Sequence, residues 1–205
     1  MVTKTVTPRI EPLEPPYDPE IDSRLQKMMP AGVPPIGLFR TFVKNLPLAE
    51  AMTGWGSYEL GRNLSLSMRE REIVIDRTCA RCGCDYEWGV HVAFFAERVS
   101  LGPRQIESLA VGSHDDECWA NARDRLLIRT VDALHDGGDL DDQLWDALAG
   151  EFSEANLLDL LVLCGWYHAI SFVAKALRVP LEAGAPKISA MSNTSPDASS
   201  ERSSE

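Results

Sequence analysis

Basic residues are scarce in this chain: 20 lysines and arginines stand against 31 aspartates and glutamates, a formal net charge of -11. A surface of that sign repels phosphate backbones, and no basic stripe or aromatic-basic platform offsets it, so nucleic acid is not an expected partner. An apolar N-terminal run is missing as well. The opening MVTKTVTPRIEPLEPPYDPE has no hydrophobic stretch after Lys4, and no secretory signal is expected there. Cysteine is sparse and odd in number, five in 205 residues. That count fits a cytoplasmic protein with a few reactive or buried thiols better than a disulfide scaffold. Strand-like alternation is also scarce, and no internal repeat or break in composition divides the chain.

What is present is helical periodicity. The pattern predicts helices over roughly 35–45, 47–62, 68–82, 85–98, 103–110, 116–134, 141–149 and 154–177, an all-α bundle. Ser67 to Glu70 has the capping-box spacing, Pro103 follows Gly102 at a first helical position, and Ser153 precedes the longest helix, with Pro180 beyond its end. That longest run, Leu157 to Leu177, is the strongest membrane candidate. Asp159, His168 and Lys175 interrupt it, so a buried core helix is expected and no membrane partner. Residues 1–20, rich in proline and acid, are read as an extended arm. Residues 21–184 form the helical domain. From 185 onward the tail has few core-forming residues and is expected to be disordered.

Chemistry concentrates between Arg71 and His91, REIVIDRTCARCGCDYEWGVH. Gly83 ends one helix in a left-handed turn, and Cys84 then opens the next, facing free backbone N–H groups and the positive end of the helix dipole. Both favour thiolate, which makes Cys84 a candidate nucleophile. Cys84, Glu87 and His91 stand at i, i+3 and i+7 on one helix; Glu72, Asp76 and Cys79 stand at i, i+4 and i+7 on the preceding one. If the two helices pack as a hairpin, a carboxylate, a thiol and an imidazole converge, the parts of a proton relay. Most cysteines and histidines in helical proteins are simply packed, and the weight here lies in their coincidence of spacing.

Glu72, followed by Cys84 at +12, Glu87 at +15 and His91 at +19, resembles the alkylhydroperoxidase D-like motif, and CGCDYEWGVH resembles a subgroup in which glutamate and tryptophan replace its second cysteine. Flanking segments agree: LSLSMREREIVIDR, VSLGPRQIESL and LLVLCGWYHAISFVAKALRVPLE are similar to the carboxymuconolactone decarboxylase and alkylhydroperoxidase D-like superfamily over about residues 35–183. The resemblance implies an alkylhydroperoxidase D-like helical bundle assembling as a homo-oligomer, a trimer or hexamer. It also implies thiol-dependent reduction of a small-molecule peroxide, with a thiol reductant to restore the enzyme. Cys84 would attack the peroxide, His91 and Glu72 would relay protons, and Glu87 would tune the site. Because Glu87 replaces the motif's second cysteine, Cys79 or Cys82 would have to be the resolving thiol.

Two other readings stand beside this one. A lyase acting on a small lactone or ring carboxylate would use the imidazole and carboxylates, with Arg69, Arg71, Arg77 and Arg81 as carboxylate partners. A redox-sensing oligomer would use the thiols without turnover. A zinc knuckle of Cys79, Cys82, Cys84 and His91 is set aside because Cys82 and Cys84 flank a helix break, so neither metal nor cofactor is expected. Cys118, expected to open a helix, and Cys164 are read as core thiols. His114 and His135 are read as solvated, and His168 as able to reach a pocket. Tyr86 and Trp88 are read as walls of the site or as core.

Overall fold

The computed structural model describes residues 7–191, and among these the pattern resolves into helices without strands. The first half holds α1 (Pro19–Met28), α2 (Gly37–Phe42), α3 (Leu46–Glu59), α4 (Met68–Arg81) and α5 (Asp85–Phe95). The second holds α6 (Pro103–Val111), α7 (Ala122–Gly137), α8 (Asp142–Glu151), α9 (Glu154–Leu177) and the short α10 (Ile188–Met191).

The central helix is α4. Its capping box is formed as the spacing predicts: Ser67 Oγ accepts from Glu70 N at 3.2 Å, and Glu70 Oε2 accepts from Ser67 N at 2.8 Å. All residues from Arg71 to Cys79 are then buried, because α5, α6, α7 and α9 pack around this one helix. A helix buried on every side is usually apolar. This one carries Arg71, Glu72, Asp76 and Arg77, and three of the four are paired. Arg77 forks onto Asp132 at 2.7 and 2.9 Å and also donates to the carbonyls of Ser108 and Leu109 at the end of α6.

Two hydrophobic cores flank the α4–α5 turn. The larger gathers α4, α7, α8 and the first half of α9 around Ile73, Ile75, Trp88, Leu127, Leu148 and Leu160. The smaller joins α1, α2, the start of α5 and the end of α9 around Leu25, Leu38, Phe42, Tyr86 and Ala174. Cys79 belongs to the first core and Cys84 to the second. Helix α9 spans both. It is long and apolar enough to cross a membrane, yet half of its apolar window is buried within this fold. Its Asp159, expected to break a membrane span, accepts from Tyr58 OH at 2.6 Å and Ser65 N at 2.7 Å.

Several boundaries depart from the sequence reading. Helix α1 lies partly inside the stretch read as an extended arm: Pro19 sits in its first turn, where a missing donor costs nothing, with Glu20 and Asp22 suited to the dipole. The arm proper, from residue 7 to 18, lies against its own domain, with Arg9 N donating to Leu177 O at 2.8 Å and Leu13 N to Arg40 O at 3.1 Å. The rest of the arm, residues 1–6, falls outside the described residues. Helix α7 begins at Ala122, not near 116, so Cys118 lies half-buried in the preceding loop and opens no helix. The tail expected to be disordered is ordered over 185–191. Ile188 N donates to Asp85 Oδ1 at 2.9 Å, and a Cβ at Gly89 would lie 2.5 Å from Pro186 O, so the segment rests directly on the glycine of α5. The remainder, 192–205, lies outside the described residues.

Candidate functional site

Gly83 makes the turn that builds the site. Its φ of +60° is left-handed, as the helix break requires, and Cys84 N bonds back to Cys79 O at 2.9 Å. Cys84 becomes the N-cap of α5. The chain thereby folds α5 against α4, and α9 closes the third side with Tyr167 and Ser171.

At the centre is a three-member chain of side chains from three helices. Glu72 Oε1 takes the Arg71 guanidinium at 2.7 Å from Nε and 2.6 Å from a terminal nitrogen. Glu72 Oε2 takes His91 Nδ1 at 2.8 Å. Since a carboxylate can only accept, His91 carries its proton on Nδ1, and Nε2 receives the Tyr167 hydroxyl at 3.0 Å. Glu72, His91 and Tyr167 are all buried, and Phe95 stacks on the imidazole at 5.4 Å between centroids.

Glu87 stands 3.9 Å from His91 Nε2 through Oε2, while its Oε1 is buried without a hydrogen-bond partner. Burial pushes this carboxyl up to about 7, against the pull of His91 and with the help of Glu182. Asp76, one turn along α4 from Glu72, is also pushed well above the usual carboxylate range by burial and by Glu72, and its Oδ1 has no partner. Two buried acids, both biased toward their protonated forms, therefore neighbour the Glu72–His91 pair.

The thiols lie beside this group. The Ser171 hydroxyl, fully buried, neighbours all three: it reaches Cys79 Sγ at 3.9 Å and eases the rise of Cys79, Cys82 and Cys84. The expectation that the helix N-terminus favours Cys84 thiolate is met only in part. The backbone N–H groups of Glu87 and Tyr86 do pull the thiol down, but burial outweighs them and the net shift is upward. Cys79 is raised further, by burial and then by Glu87, Cys84 and Asp76. All five cysteines are free; Cys82 is half-buried, and Cys164 is a core thiol pushed up to about 12.

Of the predicted residues, Glu72, Glu87 and His91 meet, and Cys84 and Cys79 adjoin them through Glu87 and Ser171. Cys82 lies at the edge of this group, beside Ser171 and also within reach of His135 and His168. His135, read as solvated, instead holds His168 at 3.0 Å and lies half-buried. His114 stays near the surface beside Asp115. Tyr86 is a wall of the second core, accepting from Leu38 N and donating to Glu182. Trp88 is core. The four arginines proposed as partners for a substrate carboxylate are all committed to the protein's own acids: Arg69 to Asp124, Arg71 to Glu72, Arg77 to Asp132 and Arg81 to Asp136. The sequence pattern does not single out Tyr167 and Ser171. Their α9 spacing of four, facing α4, is the signal that could have found them.

Residues 47–131 match the model of the carboxymuconolactone decarboxylase family, the stretch that carries α3 to α6, part of α7, and Glu72, Cys84, Glu87 and His91 but not Tyr167 or Ser171. Over those 85 residues the chain is similar to that family, and the helical fold is consistent with the likeness. Among solved structures it is similar to an uncharacterized peroxidase-related protein from Silicibacter sp. TM1040, at a TM-score of 0.74 and 18% identity, over 87% of this chain and 96% of that one. It is also similar to the debrominase Bmp8, at a TM-score of 0.64 and 18% identity, over 89% of this chain and 95% of the other. A Bmp8 variant in complex with 2,3,4-tribromopyrrole gives a TM-score of 0.67 at 16% identity, over 91% and 96%. No curated protein sequence matches the chain. At these identities the structural likeness speaks for the fold.

Proposed function

We propose that the protein reduces a small hydroperoxide at Cys84. The observation that carries this reading is Glu87: a buried carboxyl with a free oxygen and a pKa of about 7, interacting with both Cys84 and His91. A buried thiol cannot ionise cheaply by itself, because its charge would be left unsolvated. Passing the proton from Cys84 to Glu87 leaves the number of buried negative charges unchanged, so the thiolate forms by exchange. The Cys84 sulfur then attacks one peroxide oxygen and the O–O bond breaks. The departing alkoxide takes the proton from Glu87, leaving Cys84 as sulfenic acid and releasing an alcohol or water. Cys79, packed on the same Ser171 hydroxyl, condenses with the sulfenic acid, forming a disulfide and expelling water. A dithiol reductant would reopen it, which suits a cytoplasmic setting.

Glu72 is the positioning residue in this scheme, since both of its oxygens are occupied and its contact fixes the His91 ring. His91 and Tyr167 supply the second route for the proton. The lyase reading draws support from one feature, that the Glu72–His91–Tyr167 chain is complete without sulfur. The commitment of all four nearby arginines weighs against it, because no free cation is left among them to hold a substrate carboxylate.

The test treats reduced protein with hydroperoxide and follows each thiol by mass spectrometry. Cys84→Ser should abolish oxidation, and Glu87→Gln and His91→Gln should slow it by roughly 10²–10⁴-fold while remaining folded. Undiminished peroxide consumption in Cys84→Ser would refute the reading. Turnover of a lactone or ring acid by that same variant would establish the lyase.

A further inference from the structure

Cys82 is the member of the CxxC pair that lies at the edge of the acid site, beside Ser171 on one side and two histidines on the other. It caps the C-terminal end of α4, and there it meets the last turns of α7 and the middle of α9. His135 from α7 and His168 from α9 face it: a ligand atom from each of the three side chains lies within 4.8 Å of the other two. The two imidazoles touch directly, His135 Nδ1 to His168 Nε2 at 3.0 Å. We propose that Cys82, His135 and His168 form a site for a divalent transition metal of borderline softness, zinc above all, with the fourth position open to solvent.

The donor set and its spacing carry the argument. In a tetrahedral zinc site, bond lengths of roughly 2.0–2.1 Å to nitrogen and 2.3 Å to sulfur put neighbouring ligand atoms about 3.3–3.6 Å apart. The histidine pair already sits near that separation, and the thiol needs about an ångström of side-chain movement at most. One thiolate and two imidazoles select zinc or copper over magnesium or calcium, which take oxygen. The outer contacts are also those of a ligating histidine. His168 Nδ1 donates to Cys164 O at 2.8 Å, so its Nε2 lone pair is fixed toward His135 and Cys82. As the ring stands, that lone pair accepts the Nδ1 proton of His135, and a metal would replace this proton as the shared centre. Asp132 and Asp136 lie beside His135 and offset the nearby Arg81, which they bind. His135 is held below its ordinary pKa by burial, Arg81 and His168, which favours the neutral ring that a metal requires. The three residues come from three different helix ends and middles, and they belong to no spacing motif.

The test uses tag-free full-length protein, stripped with chelator and kept reduced. It is titrated with zinc against a chromophoric competitor, and separately with cobalt(II). One equivalent per chain is expected for each metal, with a thiolate-to-cobalt charge-transfer band that Cys82→Ser removes. His135→Gln and His168→Gln, at half-buried positions on helix surfaces, should each weaken zinc by more than the roughly 10–100-fold typical of an outer-shell loss. His91→Gln and Cys84→Ser should bind zinc as the parent does, which separates this site from the peroxide site. Absence of stoichiometric binding would overturn the proposal. So would binding that His135→Gln and His168→Gln leave unchanged, or that Cys84→Ser abolishes.

Discussion

Replacing Glu87 by glutamine isolates the energetic cost of the group on which the proposed chemistry turns. In the folded protein this carboxyl titrates at about 7, whereas its ordinary value is 4.5, because burial withholds water from the charge. Below pH 4.5 it is neutral in both folded and unfolded chains and contributes no pH dependence. Between 4.5 and about 7 the folded state keeps a proton that the unfolded state has released, so stability falls as pH rises. The fall levels off above about 7, where both states are ionised, and it sums to roughly 3 kcal/mol at about 1.36 kcal/mol per tenfold change in proton affinity. An amide at this position does not titrate. The Glu87→Gln variant should therefore match the parent to within a constant offset at about pH 4.5, gain on it toward about pH 7, and level off beyond. Urea denaturation midpoints at fixed protein concentration, taken for both proteins across that range, read the difference directly. The offset itself carries no weight, since an amide packs differently from an acid; the slope does. A gap that stays flat, or that narrows with pH, would show that Glu87 is not a raised acid. The proton-exchange route to the Cys84 thiolate would then fail as well.

Other expected outcomes follow from single contacts. Arg71→Met leaves Glu72 buried against His91 without its counter-ion and should cost about 3–5 kcal/mol in denaturant unfolding. Gly89→Ala drives a methyl into Pro186 O and should release residues 185–191 to limited proteolysis, with little effect on the rest of the fold. Light scattering should give a multiple of 22.7 kDa, because α9 leaves Leu158, Val162 and Phe172 exposed; Phe172→Glu should reduce the assembly, and a monomeric parent protein would contradict this.

How much of this is legible in the sequence depends on what kind of signal each feature leaves. Helices α4 and α5 are readable because their ends are written locally, in the Ser67–Glu70 box and in Gly83. The periodic pattern starts α7 too early because Trp119 supplies an apolar residue at helical spacing. Trp119 is held there by tertiary contacts instead, donating through Nε1 to Ser108 Oγ at 2.7 Å while its carbonyl receives Arg125. The meeting of Glu72, Glu87 and His91 follows from spacing once a hairpin is assumed. Spacing cannot indicate that Arg71 saturates Glu72, or that Glu87 is left with an unpartnered oxygen, since both depend on what the surrounding helices bring over them. The His135–His168 contact joins residues 33 apart on two different helices and leaves no periodic trace at all.

The division of labour among the buried acids follows from that same packing. Glu72, Asp76 and Glu87 lie within one small volume, and three carboxylates cannot all be charged there without a matching cation for each. Arg71 pairs with Glu72 and with no other acid, its remaining donor going to the Leu60 carbonyl. Asp76 and Glu87 have no arginine, and burial pushes each toward its protonated form, Asp76 with the help of Glu72 one turn away and Glu87 against the pull of His91. The result is one anchored acid that orients the imidazole and two that burial biases toward their protonated forms. Such a separation of roles among like groups is what acid–base chemistry at neutral pH requires. It also accounts for a glutamate at position 87. A second thiol there would be pushed up by burial as Cys79 and Cys84 are, leaving the site without a proton acceptor near neutral pH on that face. In the proposed scheme Glu87 is that acceptor, and resolution would fall to Cys79, one helix away beside Ser171.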